Sequence, residues 1–302
     1  MKYINTVDII KEEVAIIKKL NLKTDIIFRT FFSRKGNEYF LIDFLNALLN
    51  VEIKSIKIRD EVSLERLSTF EKGGRLDLQA KLDNGTIVNI EMQVSDEGNI
   101  TQRTAFYSSK VISKETEKGT KYKDISKVIM INILDYDLLD FSECVSKTAI
   151  VLDKHRDYEI IDGITWYFIE LPKFRKSNPN MENKLNQWLA IIDDYDKEMI
   201  ELAEKNNQII EKAKIELGTL TGDEEIKRIA ELKEKWEMDY NSAVQNAEER
   251  GLTQGRAEGH VAGIAEEKRN IAKKLISLNI PKEKIIEITG LIEEEIEKLN
   301  EE

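Results

Sequence analysis

Cysteine, histidine, proline and long apolar runs are scarce in this 302-residue chain, with one cysteine, two histidines and three prolines. Each shortage excludes something. Cys144 alone cannot form an internal disulfide, so a reducing compartment, the cytoplasm, is expected. His155 and His260 sit in different regions, which argues against a paired-histidine metal site or a Ser-His-Asp triad. No stretch reaches the roughly 18 apolar residues of a membrane-spanning helix, so no membrane partner is expected. The opening residues, MKYINTVDIIKEEV, lack a cationic start followed by an apolar run, so no secretory signal is expected. No G-x-x-x-x-G-K-[ST] loop occurs, so no nucleotide cofactor is expected.

Excess positive charge is lacking too. The formal net charge is −11, which argues against nucleic-acid binding by bulk charge. The average misleads, however. Residues 1–176 hold 28 Lys/Arg and 28 Asp/Glu, whereas residues 177–302 hold 18 and 29. The whole acidic excess therefore lies in the C-terminal part, and a local basic cleft in the first part stays open.

What is present follows a clear order. Residues 4–20 have the spacing of a short amphipathic helix. Thr24 can cap a second helix, with Asp25 in its first turn where a carboxylate suits the helix dipole. Apolar residues from Ile27 to Leu48 recur at helical spacing, and Gly36 predicts two helical pieces. Residues 51–59, 75–82 and 87–94 read as strands, and 99–117 as a helix closed by Gly119. KVIMINIL, residues 127–134, is a continuous apolar run, as expected of a buried central strand. TAIVLD and ITWYFIEL continue the strands to about residue 171.

Pro172 and Pro179 mark a change, and helical periodicity prevails beyond residue 180. The expected divisions are 1–176, a helical region 177–250, and 251–302 with a glycine repeat and a small helical module. Gly251, Gly255, Gly259 and Gly263 recur every four residues. Glycine costs about 1 kcal/mol per helix position relative to alanine. The repeat is therefore either a helix that another helix approaches closely, or a weakly structured linker. The last 30 residues have a helix, Thr-Gly, helix layout. Their final helix carries Glu293, Glu294, Glu295 and Glu297 against Lys298, which suits packing or self-association better than DNA.

The most informative stretch is RLDLQAKLDNGTIVNIEMQ, residues 75–93. A two-residue Asn84-Gly85 loop would put Asp77 among apolar residues. A three-residue loop, Asp83-Asn84-Gly85, pairs Leu82 with Thr86 and so Asp77 with Glu91. Leu76, Leu78, Ala80 and Leu82 then share a face with Val88, Ile90, Met92 and Val94. Asp77, Glu91 and Gln93 share the other. Register is set wherever one face is buried, so the three-residue loop is expected. Asp77 and Glu91, with water and a main-chain carbonyl, would form an oxygen-rich site suited to Mg²⁺ or Mn²⁺. A solvated carboxylate pair opposed by Lys81 or Arg75 is the alternative.

These segments also carry a resemblance. TDIIFRTFF, EYFLIDFLNALLN, GGRLDLQAKLDNGTIVNIEMQVS, QRTAFYSSKVIS and YKDISKVIMINILDY follow one another over about residues 22–140. In that order the chain resembles the recombination-promoting nuclease (Rpn) family, also described as PD-(D/E)XK nuclease family transposases. The resemblance implies an α/β, restriction-endonuclease-like core, a mixed sheet flanked by helices, followed by an α-helical C-terminal region. It implies Asp77 and Glu91 as metal ligands, Met92 as a main-chain carbonyl ligand, and Gln93 where the wider superfamily has lysine. Glutamine can orient a water but adds no charge. Leu76 stands where the superfamily has proline. Asp25 matches a family aspartate and is a further candidate for the site. Arg103 and Tyr107, one helical turn apart, would face the cleft, where Arg103 can hold a phosphate. Arg75 and Lys72 would contact DNA backbone.

The expectation is therefore a cytoplasmic, Mg²⁺-dependent DNA endonuclease acting on double-stranded DNA, promoting recombination or related to mobile elements. A homodimer through the helical C-terminal region is expected. Two alternatives remain: an inactive DNA-binding protein that keeps the fold, and an oligomeric assembly protein.

Overall fold

The computed structural model describes residues 20–59, 78–116, 121–161 and 163–301. The helix expected over 4–20 and the stop at Gly119 lie outside them. Helices α1 (Asp25–Ser33) and α2 (Glu38–Leu49) are the two predicted pieces, separated at Gly36 with φ +96°. Thr24 has the extended backbone of an N-cap, and its carbonyl accepts from Phe28 N at 2.9 Å. Its hydroxyl makes no capping bond.

Strand β1 (Ile56–Arg59) is shorter than the alternation over 51–59 predicts. Ile53 N donates to Asn46 Oδ1 and Lys54 N to Asp83 Oδ2, at 2.8 and 3.0 Å. Side chains thus take donors that a strand ladder would use. Strands β2 (Leu78–Leu82) and β3 (Ile87–Gln93) follow, then α3 (Ile100–Glu115), a 3₁₀ turn at Tyr122–Asp124, and β4 (Val128–Leu134). Every residue of β3 and β4 is buried, as the apolar run predicts for β4. Strand β5 (Val145–Lys147) leads to a separate hairpin, β6 (Ile150–Leu152) with β7 (His155–Ile161), and then to β8 (Ile164–Glu170).

Six strands make one mixed sheet in the order β1-β2-β3-β4-β8-β5. The β1-β2-β3 meander is antiparallel, whereas β4 runs parallel to both β3 and β8. A parallel neighbour needs a crossover, and α3 is that crossover. On one face of the sheet Val88, Ile90, Met92, Ile129, Ile131 and Ile133 pack in one cluster with the phenylalanines of α1 and α2. On the other, Ile87, Val128 and Met130 meet Val111 and Ile112 of α3. The expected α/β core is present.

Beyond β8 the chain is helical: α4 (Leu171–Lys176), α5 (Lys184–Asp193), α6 (Lys197–Asn206), α7 (Gln208–Gly222), α8 (Glu224–Ser277), α9 (Lys282–Thr289) and α10 (Glu293–Glu301). The start of this acidic region belongs to the first core. Trp188 of α5 is fully buried, its ring centre 5.9 Å from that of Phe32 and 6.1 Å from that of Phe44. Its indole Nε1 donates to Asp43 Oδ2 at 2.9 Å, so the one polar atom is satisfied. Met1–Trp236 form one compact unit and Glu237–Glu302 a second. In the second, Ala272, Ile285, Leu291 and Ile296 make a small core. Gly290 ends α9 in the left-handed conformation, φ +65°. No described helix is long and apolar enough to cross a membrane.

The glycine repeat lies wholly inside α8. A Cβ at Gly251, Gly255, Gly259 or Gly263 would meet no atom within 4 Å. Nothing in the described chain therefore approaches these glycines closely.

Truncating Trp188 empties a large site that joins α5 to α1 and α2. Trp188→Ala is expected to lower stability by about 3–5 kcal/mol, and Trp188→Phe by clearly less. Denaturant unfolding measures both; a loss below about 1 kcal/mol in the alanine variant contradicts this packing.

Candidate active site

The hairpin has the expected register. Leu78 pairs with Ile90 and Ala80 with Val88. Leu82 N donates to Thr86 O at 2.8 Å and Gly85 N to Leu82 O at 3.0 Å, which closes the three-residue loop Asp83-Asn84-Gly85. Gly85 has φ +86°, where a side chain would be strained. The Asn84 side chain accepts from Thr86 N at 3.0 Å and steadies the turn.

Register decides what β3 presents on each face. Val88, Ile90 and Met92 join the apolar layer against α1 and α2. Met92 has its side chain in that layer, with its main chain in the sheet between β3 and β4. Glu91 and Gln93 lie on the face covered by α3, with only 6% and 7% of their surface exposed. An ionised carboxylate buried to that degree needs a partner, because its desolvation costs several kcal/mol. Arg103 of α3 is one such partner. Its Nη2 is hydrogen-bonded and ion-paired to Glu91 Oε1, and its Nη1 donates to Gln93 Oε1 at 3.0 Å. Gln93 in turn donates from Nε2 to Ser95 O at 2.9 Å. One guanidinium thus holds the glutamate and the glutamine side by side. Glu97 lies 3.9 Å from the same arginine and is half exposed.

Two further residues belong to this polar layer. Asn132 on β4 is paired in register with Glu91 and is 1% exposed. Its Oδ1 accepts from the Thr104 hydroxyl at 3.1 Å, and its Nδ2 donates to Tyr167 O at 3.2 Å. Thr104 also donates to Ile100 O at 2.8 Å. Sequence reasoning passed over both residues. The signal for Asn132 was available: it is the one polar residue of VIMINIL, residues 128–134.

The other sequence candidates are distributed as follows. Asp77, Arg75 and Lys72 lie outside the described residues. Tyr107 shares the sheet-facing side of α3 with Arg103 and packs against the Ile87, Val128 and Met130 cluster. Its ring also meets that of Phe106, 5.4 Å away and nearly perpendicular. Asp25 takes another direction: its Oδ2 accepts from Lys233 Nζ of α8 at 2.6 Å. That ion pair fastens the start of α1 to the first part of α8. Asp25 has no bond to Glu91 or Gln93.

A second ionic group lies at the C-terminal ends of the central strands. Asp135 N donates to Gln93 O at 3.0 Å. The Asp135 carboxylate is ion-paired with Arg175, and Lys23 Nζ lies 3.3 Å from Asp135 and from Asp193. Arg175 Nε donates to Asp193 Oδ2 at 2.9 Å, and the two aspartates push its affinity for the proton up further, Asp193 contributing most. Both carboxylates are matched by cations, so this group reads as a clamp between β4, α4 and α5.

The chemistry of the Glu91 site is that of hard oxygen donors. Glu91 offers a carboxylate, Gln93 an amide oxygen and Met92 a carbonyl, a set that suits Mg²⁺ or Mn²⁺ and not a soft metal. Among the described residues no three His, Cys, Asp or Glu side chains converge to hold a metal. Glu91 and the half-exposed Glu97 are the described carboxylates ion-paired with Arg103.

No curated protein and no solved structure matches the chain. A family model described as PD-(D/E)XK nuclease family transposase matches residues 22–247. That span takes in α1 to β8, the Glu91 site, α4 to α7 and the first part of α8. With its mixed six-stranded sheet and well over half its length matched, the chain belongs to the PD-(D/E)XK nuclease family transposases.

Proposed function

We propose that the protein is a Mg²⁺- or Mn²⁺-dependent DNA endonuclease that hydrolyses phosphodiester bonds in double-stranded DNA. Its role is to promote recombination or to serve a mobile element. The observation that carries this reading is the buried pairing of Glu91 and Gln93 under one arginine, at the end of a central strand. Leu78, the residue after Asp77, pairs with the residue before Glu91. On that basis we assign Asp77 as the second carboxylate, with Glu91 and the Met92 carbonyl completing the ligand set. A divalent cation, when bound, offsets phosphate charge and lowers the pKa of a water.

The chain's own groups have separable parts. Glu91 and Asp77 supply the negative charge that attracts the cation. Gln93 can both accept and donate, and so can orient a water, but it brings no charge. Arg103 supplies the fixed positive charge at the site. It is paired with Glu91, and were Glu91 to hold a cation, its fork could take a phosphate oxygen. Arg75 and Lys72, just before Asp77, are assigned to the DNA backbone, with Tyr107 supporting the α3 side of the cleft. Asp25, paired with Lys233, keeps a place in this scheme only if that pair opens. The lone Cys144, whose thiol burial pushes up, suits a reducing cytoplasm.

One observation favours a second reading. Arg103 already satisfies Glu91, as it would in an inactive DNA-binding protein that keeps the fold. Plasmid cleavage separates the two. The nuclease reading expects nicking with Mg²⁺ and none with EDTA. Glu91→Gln should lower the rate at least about a hundredfold. Absence of cleavage by the wild-type chain with either Mg²⁺ or Mn²⁺ selects the inactive reading.

Metal binding is expected to raise the melting temperature, since a ligand of the native state stabilises it by mass action. Glu91→Gln should lose most of that gain, measured by thermal unfolding with and without Mn²⁺. Arg103→Ala removes the guanidinium that is ion-paired with the buried carboxylate. It should cost about 3–5 kcal/mol in EDTA, and Mn²⁺ should restore part of it. An equal melting gain in wild type and Glu91→Gln places the metal elsewhere.

We also assign the partner of the helical C-terminal region to a second copy of the chain. Every residue from 237 to 267 of α8 is exposed, a run of roughly 47 Å at 1.5 Å per residue. A helix gains most of its stability from packing, and the four glycines have no close neighbour in the described chain. A twofold dimer is the commonest closed arrangement. Light scattering should give a dimer for the full chain. A Val261→Glu, Ile264→Glu double variant, altering residues 68% and 43% exposed, should be monomeric.

A further inference from the structure

The outer face of α3 differs from the rest of the surface. Acidic residues number 57 in the chain. Yet the exposed positions from Gln102 onward are Gln102, Phe106, Ser109, Lys110, Ser113 and Lys114. None is a carboxylate. The helix has one acid, Glu115, and Arg59 takes it with a hydrogen bond of 2.9 Å from Nη2 to Oε2. Neither Lys110 nor Lys114 has a hydrogen-bond or salt-bridge partner among the described residues. A face of two lysines and neutral donors, in so acidic a chain, is matched in charge to a polyanion.

Position ties this face to the site. Arg103, one turn before Phe106, reaches Glu91 and Gln93. Phe106, Lys110 and Lys114 then follow at four-residue intervals, about 6 Å of helix rise each, as a stripe leading away from Glu91. Phe106 is 63% exposed, and its ring contact among the described residues is the nearly perpendicular Tyr107. A single exposed phenylalanine is ordinary on a protein surface. One set between a guanidinium at the reacting centre and two lysines is the arrangement that binds single strands. There the bases stack on an aromatic ring while cations follow the backbone.

We propose that the outer face of α3 guides one DNA strand to the Glu91 site, with Phe106 stacking on an unpaired base and Lys110 and Lys114 contacting phosphates. This rests on the nuclease reading and narrows its substrate to duplex DNA that carries unpaired nucleotides. A fully paired duplex offers Phe106 no base face.

The test is fluorescence anisotropy of the full-length chain in EDTA, with three labelled probes: a paired duplex, the same duplex with an internal mismatch bubble, and its single strand. Wild type should bind the bubble and the single strand about tenfold tighter than the paired duplex. Phe106→Ala should lose that preference, and Phe106→Trp should keep it. The Lys110→Gln, Lys114→Gln double variant should weaken binding to all three and flatten the salt dependence. Equal wild-type affinity for the three probes, or a preference that survives Phe106→Ala, overturns the proposal. Cleavage with Mg²⁺ is scored separately. Cutting without a probe preference defeats this proposal and leaves the nuclease reading standing. A Phe106-dependent preference without cutting supports strand guidance and defeats catalysis.

Discussion

The burial of one carboxylate organises the centre of this molecule. Glu91 sits on a strand flanked on both sides and is 6% exposed. An unpaired charge there would cost several kcal/mol. Arg103 meets that requirement, and Arg103 is on α3, so α3 must lie with its first turns over the end of β3. The same placement lets Thr104 reach Asn132 and sets Ile100 beside Leu134 and Phe168. The polar end of the layer and the apolar end at Ile87, Val128 and Met130 therefore fix the crossover together.

The arrangement separates tasks between the two faces of the sheet. One face is largely apolar and is closed by the phenylalanines of α1 and α2 and by Trp188. It provides stability. The other turns polar at the C-terminal ends of β3 and β4, where parallel strands leave their last residues beside a crossover. Around that end lie the Glu91 pair, the Arg175 clamp on Asp135 and Asp193, and the buried Glu170. Glu170 accepts from Leu139 N at 3.1 Å and from Lys173 Nζ at 2.8 Å, and so ties the chain after β4 to β8. Such ties keep the end of β4 rigid beside the site, which a reaction dependent on geometry needs.

How much of this was legible in the sequence varies with the physics of each element. The hairpin register was legible because a glycine turn and a period-two pattern constrain it jointly; a slip of one residue would bury Glu91 among leucines. The break at Gly36 was legible from the same freedom of φ. The start of β1 was not, because Asn46 and Asp83 take the donors of Ile53 and Lys54, and such long-range capture leaves no periodic trace. Trp188 was not placed in the first core, since composition changes before residue 180 while packing does not. At the site, residue types pointed to Glu91 and Gln93, and the resemblance put Arg103 in the cleft as a phosphate holder, but not as the side chain bonded to both. A helical i, i+4 relation shows that Arg103 and Tyr107 share a face, not which sheet atoms that face meets. For Asp25, the motif match gave no sign of the ion pair with Lys233.

The central claim is that Glu91 is a metal ligand and that Arg103 holds its place until a cation arrives. A crystal structure of the chain with Mn²⁺, with manganese located by its anomalous scattering, tests this most directly. The account predicts a manganese ion bonded to the Glu91 and Asp77 carboxylates at about 2.1 Å, with the Arg103 guanidinium turned away from Glu91. Manganese bound elsewhere, or Glu91 still paired to Arg103 with no metal beside it at saturating Mn²⁺, would contradict it.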